Sequence, residues 1–333
     1  MKVVVAPDKF AGTLSAAEAA AAIALGWLSI RPEDELVLVP MADGGEGTIE
    51  VVREALPHAR THTTEVSDAR GRMVAATWLG LPDGRALVEA AQACGLSRLG
   101  SAERDPLTAT SLGVGELLLA ASRGGHEEIV VGLGGTATVD GGARLTEALH
   151  EEPLRARIVV AVDVDIQLLG PHGAVAGFAR QKGAAAADLP ILERRLEQLA
   201  DRAEAAGGSW RDLPGAGAAG GLGFGLAAFC GGRLEPGAPL IGALVGLEDS
   251  LAGAALVLTG EGALDRQTQT GKVPAYVAGL ARARGLTVLA LAGRIEDGAG
   301  ALFDGVAELG PGGLERPAEL LSARAADLAR LQS

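Results

Sequence analysis

The residues best suited to chemistry lie in a glycine-rich stretch, residues 129–145, which reads IVVGLGGTATVDGGARL. Gly134 and Gly135 allow a sharp turn and carry no Cβ that would block a ligand. Backbone N–H groups beside hydroxyls suit phosphate oxygens, and a carboxylate beside phosphate suits Mg²⁺. The hydroxyls and the carboxylate here come from Thr136, Thr138 and Asp140. A tight connection between two packed elements would use the same glycines, so both interpretations stay open.

Acidic side chains also follow other short apolar runs, which are typical of buried strands. They are Asp43, Asp163, Glu261 and Asp265. Ligands of open α/β sheets bind at the carboxyl ends of the strands, so such acids are candidates for a shared site. Acids at the start of a helix can instead cap it, and for Asp43 and Glu46 the sequence leaves that alternative open.

Lysine is rare in this chain, since only four of its 29 Lys and Arg residues are lysines. Lys9, Lys182 and Lys272 all lie in glycine- or acid-rich loops. Lysine offers a compact point charge and arginine a rigid fork, so lysine marks positions where a guanidinium would not substitute. Lys272 follows Thr268 and Thr270 and precedes Val273-Pro274. Because a residue before proline favours extended geometry, we expect a stiff backbone at Val273 that fixes this lysine.

The composition narrows the class of protein. The 333 residues are 48% hydrophobic and 21% charged, with 49 glycines and 3% aromatics, which is typical of a globular α/β enzyme. A net charge of −13 argues against a general nucleic-acid or membrane surface. Two cysteines favour a reducing cytoplasm, and neither the N-terminus nor the uncharged stretch 213–232 has the pattern of a signal peptide or membrane span.

The elements that must position these residues follow two patterns. Both ends of the chain repeat a strand, a loop and a helix, whereas from about Thr61 polar and apolar residues alternate, as in antiparallel strands. We therefore predict a two-domain α/β protein. Residues 1–65 and 257–333 would form a flavodoxin- or Rossmann-like domain with a parallel sheet. Residues 66–256 would form an inserted α/β domain that carries the glycine-rich loop.

Six motifs in order resemble those of the bacterial type I glycerate kinases: PDKFAGTLSA, MADGGEGT, GLGGTATVDGGA, GPHGAVAGFARQKGA, GAGAAGGLGFG and LTGEGALDRQTQTGKVP. The resemblance extends from Lys2 to about Arg294. It implies ATP-dependent phosphorylation of D-glycerate, a requirement for Mg²⁺ and two α/β domains with the second inserted in the first. The product it implies is generally 2-phosphoglycerate, and 3-phosphoglycerate is also assigned to members of the family.

The chain departs from the family pattern in a few places. Ala11 stands where the family usually has a second lysine, and Val139 replaces an asparagine of the glycine-rich loop. The turn at residues 163–167 also differs, and the segment between Leu145 and Ile158 is much shorter than is usual. These changes bear on substrate preference and on a lid or an oligomer contact, and they leave the acids and the three loop lysines in place.

The resemblance and the chemistry together assign roles to the candidates. Phosphate or cofactor binding is assigned to Gly134, Gly135, Thr136, Thr138 and Lys182. Metal binding is assigned to Asp140, Asp163 and Glu261, because Mg²⁺ takes one or two carboxylates besides phosphate oxygens. Lys9 and Lys272 would neutralise the transferring phosphoryl group or bind the glycerate carboxylate. Asp43 is the preferred general base, with Asp265 as its rival in a catalytic or metal-binding role.

Two other functions stay open. One is a kinase of another small hydroxy acid, such as tartronate or hydroxypyruvate. The other is a non-catalytic regulator that binds a sugar acid or a nucleotide, which would have glycine loops without several acids converging on them. The expected partners are D-glycerate and ATP, without nucleic acid or membrane, in the cytoplasm, and a homodimer is compatible with the sequence.

Overall fold

The computed structural model describes residues 1–150, 152–205, 207–265, 268 and 272–332. Thr270, which the sequence places in the loop before Lys272, lies outside the described residues. In chain order the strands are β1 (Lys2–Pro7), β2 (Glu35–Leu38), β3 (Arg60–Ser67), β4 (Met73–Gly80), β5 (Ala86–Glu89), β6 (Glu128–Gly132), β7 (Arg157–Val162), β8 (Arg233–Pro236), β9 (Leu256–Leu264), β10 (Thr287–Ile295) and β11 (Gly305–Glu308).

The α-helices lie between these strands or after the last of them. They are α1 (Ala16–Leu28), α2 (Thr48–Ala55), α3 (Ala90–Cys94), α4 (Leu112–Arg123), α5 (Leu145–Leu149), α6 (Ala174–Phe178), α7 (Leu189–Glu204), α8 (Ala218–Cys230), α9 (Gly237–Leu244), α10 (Leu247–Ser250), α11 (Val273–Arg282) and α12 (Pro317–Arg330). Within the described ranges, no helix combines the length and the apolar character that a membrane span requires.

The chain divides into two compact units. The first contains residues 1–43, 50–55 and 238–333, and the second contains residues 44–49 and 56–237. The predicted fold class is confirmed, since both chain ends build one α/β unit and a second α/β unit is inserted.

The borders differ from those expected at 65 and 257. Strand β3 belongs to the second unit because it pairs along its whole length with β4. Residues 238–256 belong to the first unit because Ala238, Leu247 and Leu251 lie in the same hydrophobic cluster as the apolar residues of β1 and β9.

The sheet of the first unit is parallel throughout, in the order β11-β10-β9-β1-β2. Its interior strand β1 is buried on both faces, which explains its uninterrupted run of apolar residues. Val4 and Ala6 contribute to the hydrophobic cluster on one face, and Val3 and Val5 to the cluster on the other. Helix α1 begins at a capping box in which Ser15 and Glu18 bond each other's backbone.

The second unit contains a mixed sheet in the order β3-β4-β5-β6-β7-β8. Strands β3, β4 and β5 are antiparallel neighbours, joined by turns that begin at Asp68 and Leu81. From β5 to β8 the strands run parallel, and the glycine-rich loop follows β6.

The expectation of an extended backbone at Val273 is wrong. Helix α11 already begins at Val273, and the extended residue is Lys272, its N-cap, with φ −63° and ψ 168°. Pro274 lies in the first turn of the helix, where the missing N–H has no intrahelical partner to lose, so the helix starts before the proline rather than after it. Lys272 is therefore fixed at the entrance of a helix.

Two helical glycines of the first unit allow a matched test of packing. A Cβ at Gly26 of α1 would lie 1.9 Å from the Ser322 carbonyl oxygen of α12, whereas a Cβ at Gly279 of α11 would meet nothing within 4 Å. We expect Gly26→Ala to lower the free energy of unfolding by about 1–3 kcal/mol through overpacking. We expect Gly279→Ala to raise it by about 0.5–1 kcal/mol through helix propensity. Chemical denaturation measures both, and equal effects would contradict the close packing of α1 on α12.

Candidate functional site

A cluster of buried acids lies at the carboxyl edge of the first unit's sheet. Asp8, Asp43 and Glu261 are between 5% and 9% exposed, and their charges act on one another. The register of β1 against β9 explains why Asp8 and Glu261 lie close together. Pro7 pairs with Gly260, and the N–H of Asp8 donates to the Gly260 carbonyl at 2.8 Å, so Asp8, just after β1, lies level with Glu261 in the neighbouring strand β9.

Burial, together with the negative charges of Asp265 and Asp43, raises the pKa of Glu261 to about 7. Two contacts act in the opposite direction. The Thr268 hydroxyl donates to Glu261 Oε1 at 2.7 Å, and the Lys272 ammonium attracts the carboxylate. A carboxyl group with a pKa near neutrality can exchange protons or bind a cation at the pH of a cell.

Asp8 is a site residue that the sequence analysis did not single out. Burial raises its pKa well above the usual value, and the charges of Asp43 and Glu261 act in the same direction. Lys9 opposes them with its charge and with its backbone N–H, which donates to Asp8 Oδ1 at 2.7 Å. The available signal was its position directly before Lys9, but Pro7-Asp8 reads as an ordinary strand ending.

The acid loop after β9 is held by its own hydrogen bonds. Asp265 Oδ1 accepts from the Thr268 N–H at 3.2 Å, and the Asp265 N–H donates to the Thr268 hydroxyl at 3.0 Å. The same hydroxyl reaches Glu261, so Thr268 links the two acids. Asp265 thus shapes the loop that follows the strand carrying Glu261.

The donor set of this cluster fits Mg²⁺. Carboxylate oxygens are the ligands that this hard cation prefers, and like charges held together in a dry site favour a bound cation. In the described part of the chain, no group of three His, Cys, Asp or Glu side chains is arranged to hold a metal by itself. Mg²⁺ normally takes only one or two carboxylates and completes its shell with phosphate oxygens and water, so a nucleotide could bring it.

The glycine-rich loop of the second unit is closely packed. A Cβ at Gly132 would lie 2.1 Å from the Gly44 carbonyl oxygen, and one at Gly134 would lie 2.4 Å from the Gly45 Cα. These two glycines are therefore required by backbone packing, whatever else they do. Gly135 is exposed and has a φ of 77°, so its backbone remains accessible. Phosphate binding at Gly134 and Gly135 stays a prediction.

Lys182 lies inside the second unit, 3% exposed, and contacts the loop itself. Its Nζ donates to the Thr136 hydroxyl at 3.1 Å and to the Thr138 carbonyl oxygen at 2.8 Å. Burial lowers the pKa of Lys182 to about 8, while the negative charge of Asp140 acts in the opposite direction. The lysine thus holds the loop in shape, and direct contact of Lys182, Thr136 or Thr138 with a cofactor stays a prediction.

Asp140 anchors the end of the same loop. Its Oδ2 accepts from the Ser111 N–H at 2.9 Å and from the Ser111 hydroxyl at 2.7 Å, and its Oδ1 accepts from the Gly142 N–H at 3.1 Å. Burial raises the pKa of Asp140, and these hydrogen bonds oppose that rise. Asp163 is half-buried just after β7, the neighbour of β6. Metal binding by either acid stays a prediction.

The cysteines do not have the character of reactive thiols. Burial raises the pKa of both Cys94 and Cys230 to about 12. A thiolate is the nucleophilic form, so neither side chain is activated for nucleophilic catalysis at neutral pH.

The predicted site residues fall into two groups. The first unit brings together Lys9, Asp43, Glu261, Asp265 and Lys272. The second unit brings Gly134, Gly135, Thr136, Thr138, Asp140 and Lys182 into one loop region, with Asp163 at the end of the adjacent strand. Acids and lysines dominate the first group, and buried hydroxyls and backbone dominate the second.

The sequence model of the Glycerate kinase family matches residues 3–157 and 146–327. The chain belongs to the glycerate kinase family. The matched stretches overlap at 146–157, within the segment between Leu145 and Ile158 that the sequence led us to expect to be shortened. Both groups of site residues lie inside the matched ranges.

This member of the glycerate kinase family is similar to proteins of several bacteria. It is 38% identical to the glycerate 2-kinase of Escherichia coli over 332 residues, which cover 90% of this chain and 87% of the relative. It is 36% identical to the glycerate kinase of Bacillus subtilis, covering 99% and 97% of the two chains. The crystal structure assigned as glycerate kinase 2 of Salmonella typhimurium LT2 superposes with a TM-score of 0.83 at 35% identity, covering 100% of this chain and 98% of that one.

The buried lysine gives a prediction for stability against pH. The pKa of Lys182 is about 8 in the folded protein and about 10.4 in an unfolded chain, so the unfolded state binds more protons between these values. Stability should rise with pH across this window and show no such gain below it. We expect the free energy of unfolding of wild type, relative to that of Lys182→Met, to increase by about 3 kcal/mol from pH 8 to pH 10.5. A difference that stays constant across this range would show that Lys182 is not held charged in a dry site.

Proposed function

We propose that this protein catalyses the ATP-dependent phosphorylation of D-glycerate. The observation that carries the proposal is the cluster of Asp8, Asp43 and Glu261 with Lys9 and Lys272 nearby, in a chain of the glycerate kinase family. Buried acids that repel one another and face two lysines suit a ligand that carries both a metal cation and phosphate groups.

Phosphoryl transfer requires positioning and charge neutralisation more than covalent chemistry by the protein. Lys9 and Lys272 supply point charges for the phosphoryl oxygens or for the glycerate carboxylate. Asp8 and Glu261 are the first-unit acids best placed to hold Mg²⁺, and Asp140 and Asp163 are the candidates in the second unit. When bound, Mg²⁺ would neutralise charge on the phosphate oxygens.

Asp43 is proposed as the general base that takes the proton from the attacking hydroxyl of glycerate. Asp265, whose carboxylate accepts from the Thr268 N–H, is the rival candidate for this role. A positioned carboxylate of this kind contributes typically 10²–10⁴-fold to the rate.

The proposed product is 2-phosphoglycerate. The support is the E. coli relative of 38% identity, which is named a glycerate 2-kinase. The experiment is an ADP-release assay with ATP and Mg²⁺ across glycerate, glycolate, tartronate and hydroxypyruvate, with the phosphorylated product identified by ³¹P NMR. Turnover of glycerate to 2-phosphoglycerate is expected. If the enzyme prefers another hydroxy acid, that acid replaces glycerate as the proposed substrate. If no acid is turned over, the non-catalytic regulator is favoured.

Lys272 should act mainly on the rate. Its positive charge acts on Glu261, and its backbone is fixed at the N-cap of α11. Removing a charge that strengthens its contact in the transition state typically costs about 3 kcal/mol, or about a hundredfold in rate. We expect Lys272→Met to lower kcat by this factor with a much smaller change in the KM for ATP. Lys272→Arg should restore little, because a planar fork does not occupy a point-charge site.

Either of two results would contradict this role. Normal kcat in Lys272→Met would remove the residue from the site. Near-normal kcat in Lys272→Arg would show that only a general positive charge is needed.

Asp43→Asn removes a charge at nearly constant volume, so it isolates proton transfer from packing. We expect kcat to fall by about 10²–10⁴-fold while the melting temperature is maintained. Asp297→Asn, at an exposed position of the same unit, is the matched control and should keep wild-type kcat. If both variants keep the wild-type rate, Asp43 is not the base and Asp265 or Glu261 takes its place.

A further inference from the structure

A cavity of about 440 Å³ lies in the first unit and is not accounted for by the roles assigned so far. Its walls come from the segments that follow β1, β11 and the carboxyl-terminal parts of β9 and β10. These are the ends of four neighbouring or near-neighbouring parallel strands, the edge at which open α/β sheets bind their ligands.

The volume and the lining do not suit glycerate. Pockets for small organic ligands measure roughly 300–1,000 Å³ and are mostly apolar with a few polar groups. A three-carbon acid would leave most of this cavity unfilled and has no apolar face to cover. The apolar side chains of the wall belong to Phe10, Leu309 and Leu314, and of these Leu314 is 78% exposed.

Another part of the cavity wall consists of glycine backbone, which carries no side chains. A Cβ at Gly293 would lie 2.5 Å from the Gly262 carbonyl oxygen, and one at Gly262 would lie 3.1 Å from the Ala11 nitrogen. The strand ends can meet this closely only because both residues lack a side chain. Peptide groups without side chains, together with aliphatic walls, suit a flat aromatic ring system.

The cavity and the acid cluster adjoin in the sequence at two strand ends. Lys9 is followed by Phe10, and Glu261 is followed by Gly262, so each pair places a charged cluster residue beside a cavity residue. A ligand that occupies both places has a flat, mostly apolar end and an end that attracts lysines and a metal cation. A nucleoside triphosphate has this construction, since its base is flat and its phosphates bind Mg²⁺.

We propose that this cavity binds the nucleoside of ATP, so that the first unit holds the nucleotide by its base as well as by its phosphates. The proposal rests on the proposed kinase function and adds the subsite. Arg294 on the cavity wall adds a cation beside the base, and its guanidinium lies 3.3 Å from the Glu296 carboxylate.

The test measures binding of ADP and adenosine by isothermal titration calorimetry, so it does not depend on turnover. Ala11 is exposed and lines the cavity, and Ala11→Phe would fill part of it without adding charge. Ala283→Phe is the matched control, because Ala283 is exposed at the C-terminal end of α11, close in sequence to the start of β10 and away from the cavity wall. We expect Ala11→Phe to raise the Kd for ADP and for adenosine at least about tenfold, and Ala283→Phe to leave both unchanged.

A second pair of variants removes an apolar wall instead of filling the space. Leu314 and Leu331 are 78% and 76% exposed, so Leu314→Ser and Leu331→Ser disturb folding equally little. We expect only Leu314→Ser to weaken ADP binding, severalfold, with the KM for glycerate unchanged in both. This pair decides the matter if Ala11→Phe does not fold.

The outcomes separate this proposal from the kinase function. If wild type binds no ADP, or if Ala11→Phe and Leu314→Ser bind ADP and adenosine as wild type does, the cavity is not the nucleoside site. If these variants raise the KM for glycerate and leave the Kd for ADP unchanged, the cavity belongs to the acid substrate and the proposal is overturned. Weakened ADP binding without any turnover in wild type would support the subsite and contradict glycerate phosphorylation.

Discussion

The parallel pairing of β1 with β9 is the constraint on which the candidate site depends. It joins residues that are more than half the chain apart, with Val3 opposite Leu256 and Pro7 opposite Gly260. Because both strands end at the same edge, Asp8 and Glu261 meet there, and the loops behind them carry Lys9 and Lys272. The same edge opens into the cavity beside Phe10 and Gly262. An error of one residue in this register would turn the acids away from each other.

The acids of this edge are held in a state that does not favour folding. Burial and mutual repulsion raise the pKa of Asp8 and of Glu261, which means that their ionised forms are less stable here than in water. Lys9, Lys272 and the Thr268 hydroxyl offset part of that cost. Hydrophobic clusters on both faces of the sheet provide the stability that allows such a site to persist. Buried acids that repel one another and oppose folding are expected where a protein binds a ligand or catalyses a reaction.

The sequence predicted those features that depend on local patterns. The antiparallel strands near Thr61, the strand before the glycine-rich loop and the α/β unit built from both chain ends follow from periodicity and residue type, and all three are present. Features that depend on distant partners were not predictable in the same way. Asp8 looked like the end of a strand because its neighbours Asp43 and Glu261 are remote in sequence. The burial of Lys182 likewise depends on packing between segments that are distant in sequence. The same holds for residue 238, where the chain returns to the first unit.

The central claim is that the buried acid cluster serves catalysis rather than folding, and the kcat of Asp8→Asn tests it most directly. The pKa of Asp8 is raised in the folded protein, so its ionised form destabilises the fold above that pKa. In metal-free buffer at pH 7, the variant should therefore melt at the wild-type temperature or higher. With ATP, Mg²⁺ and glycerate, its kcat should fall by about a hundredfold or more. A wild-type kcat, or a loss of activity accompanied by a lower melting temperature, would contradict the account.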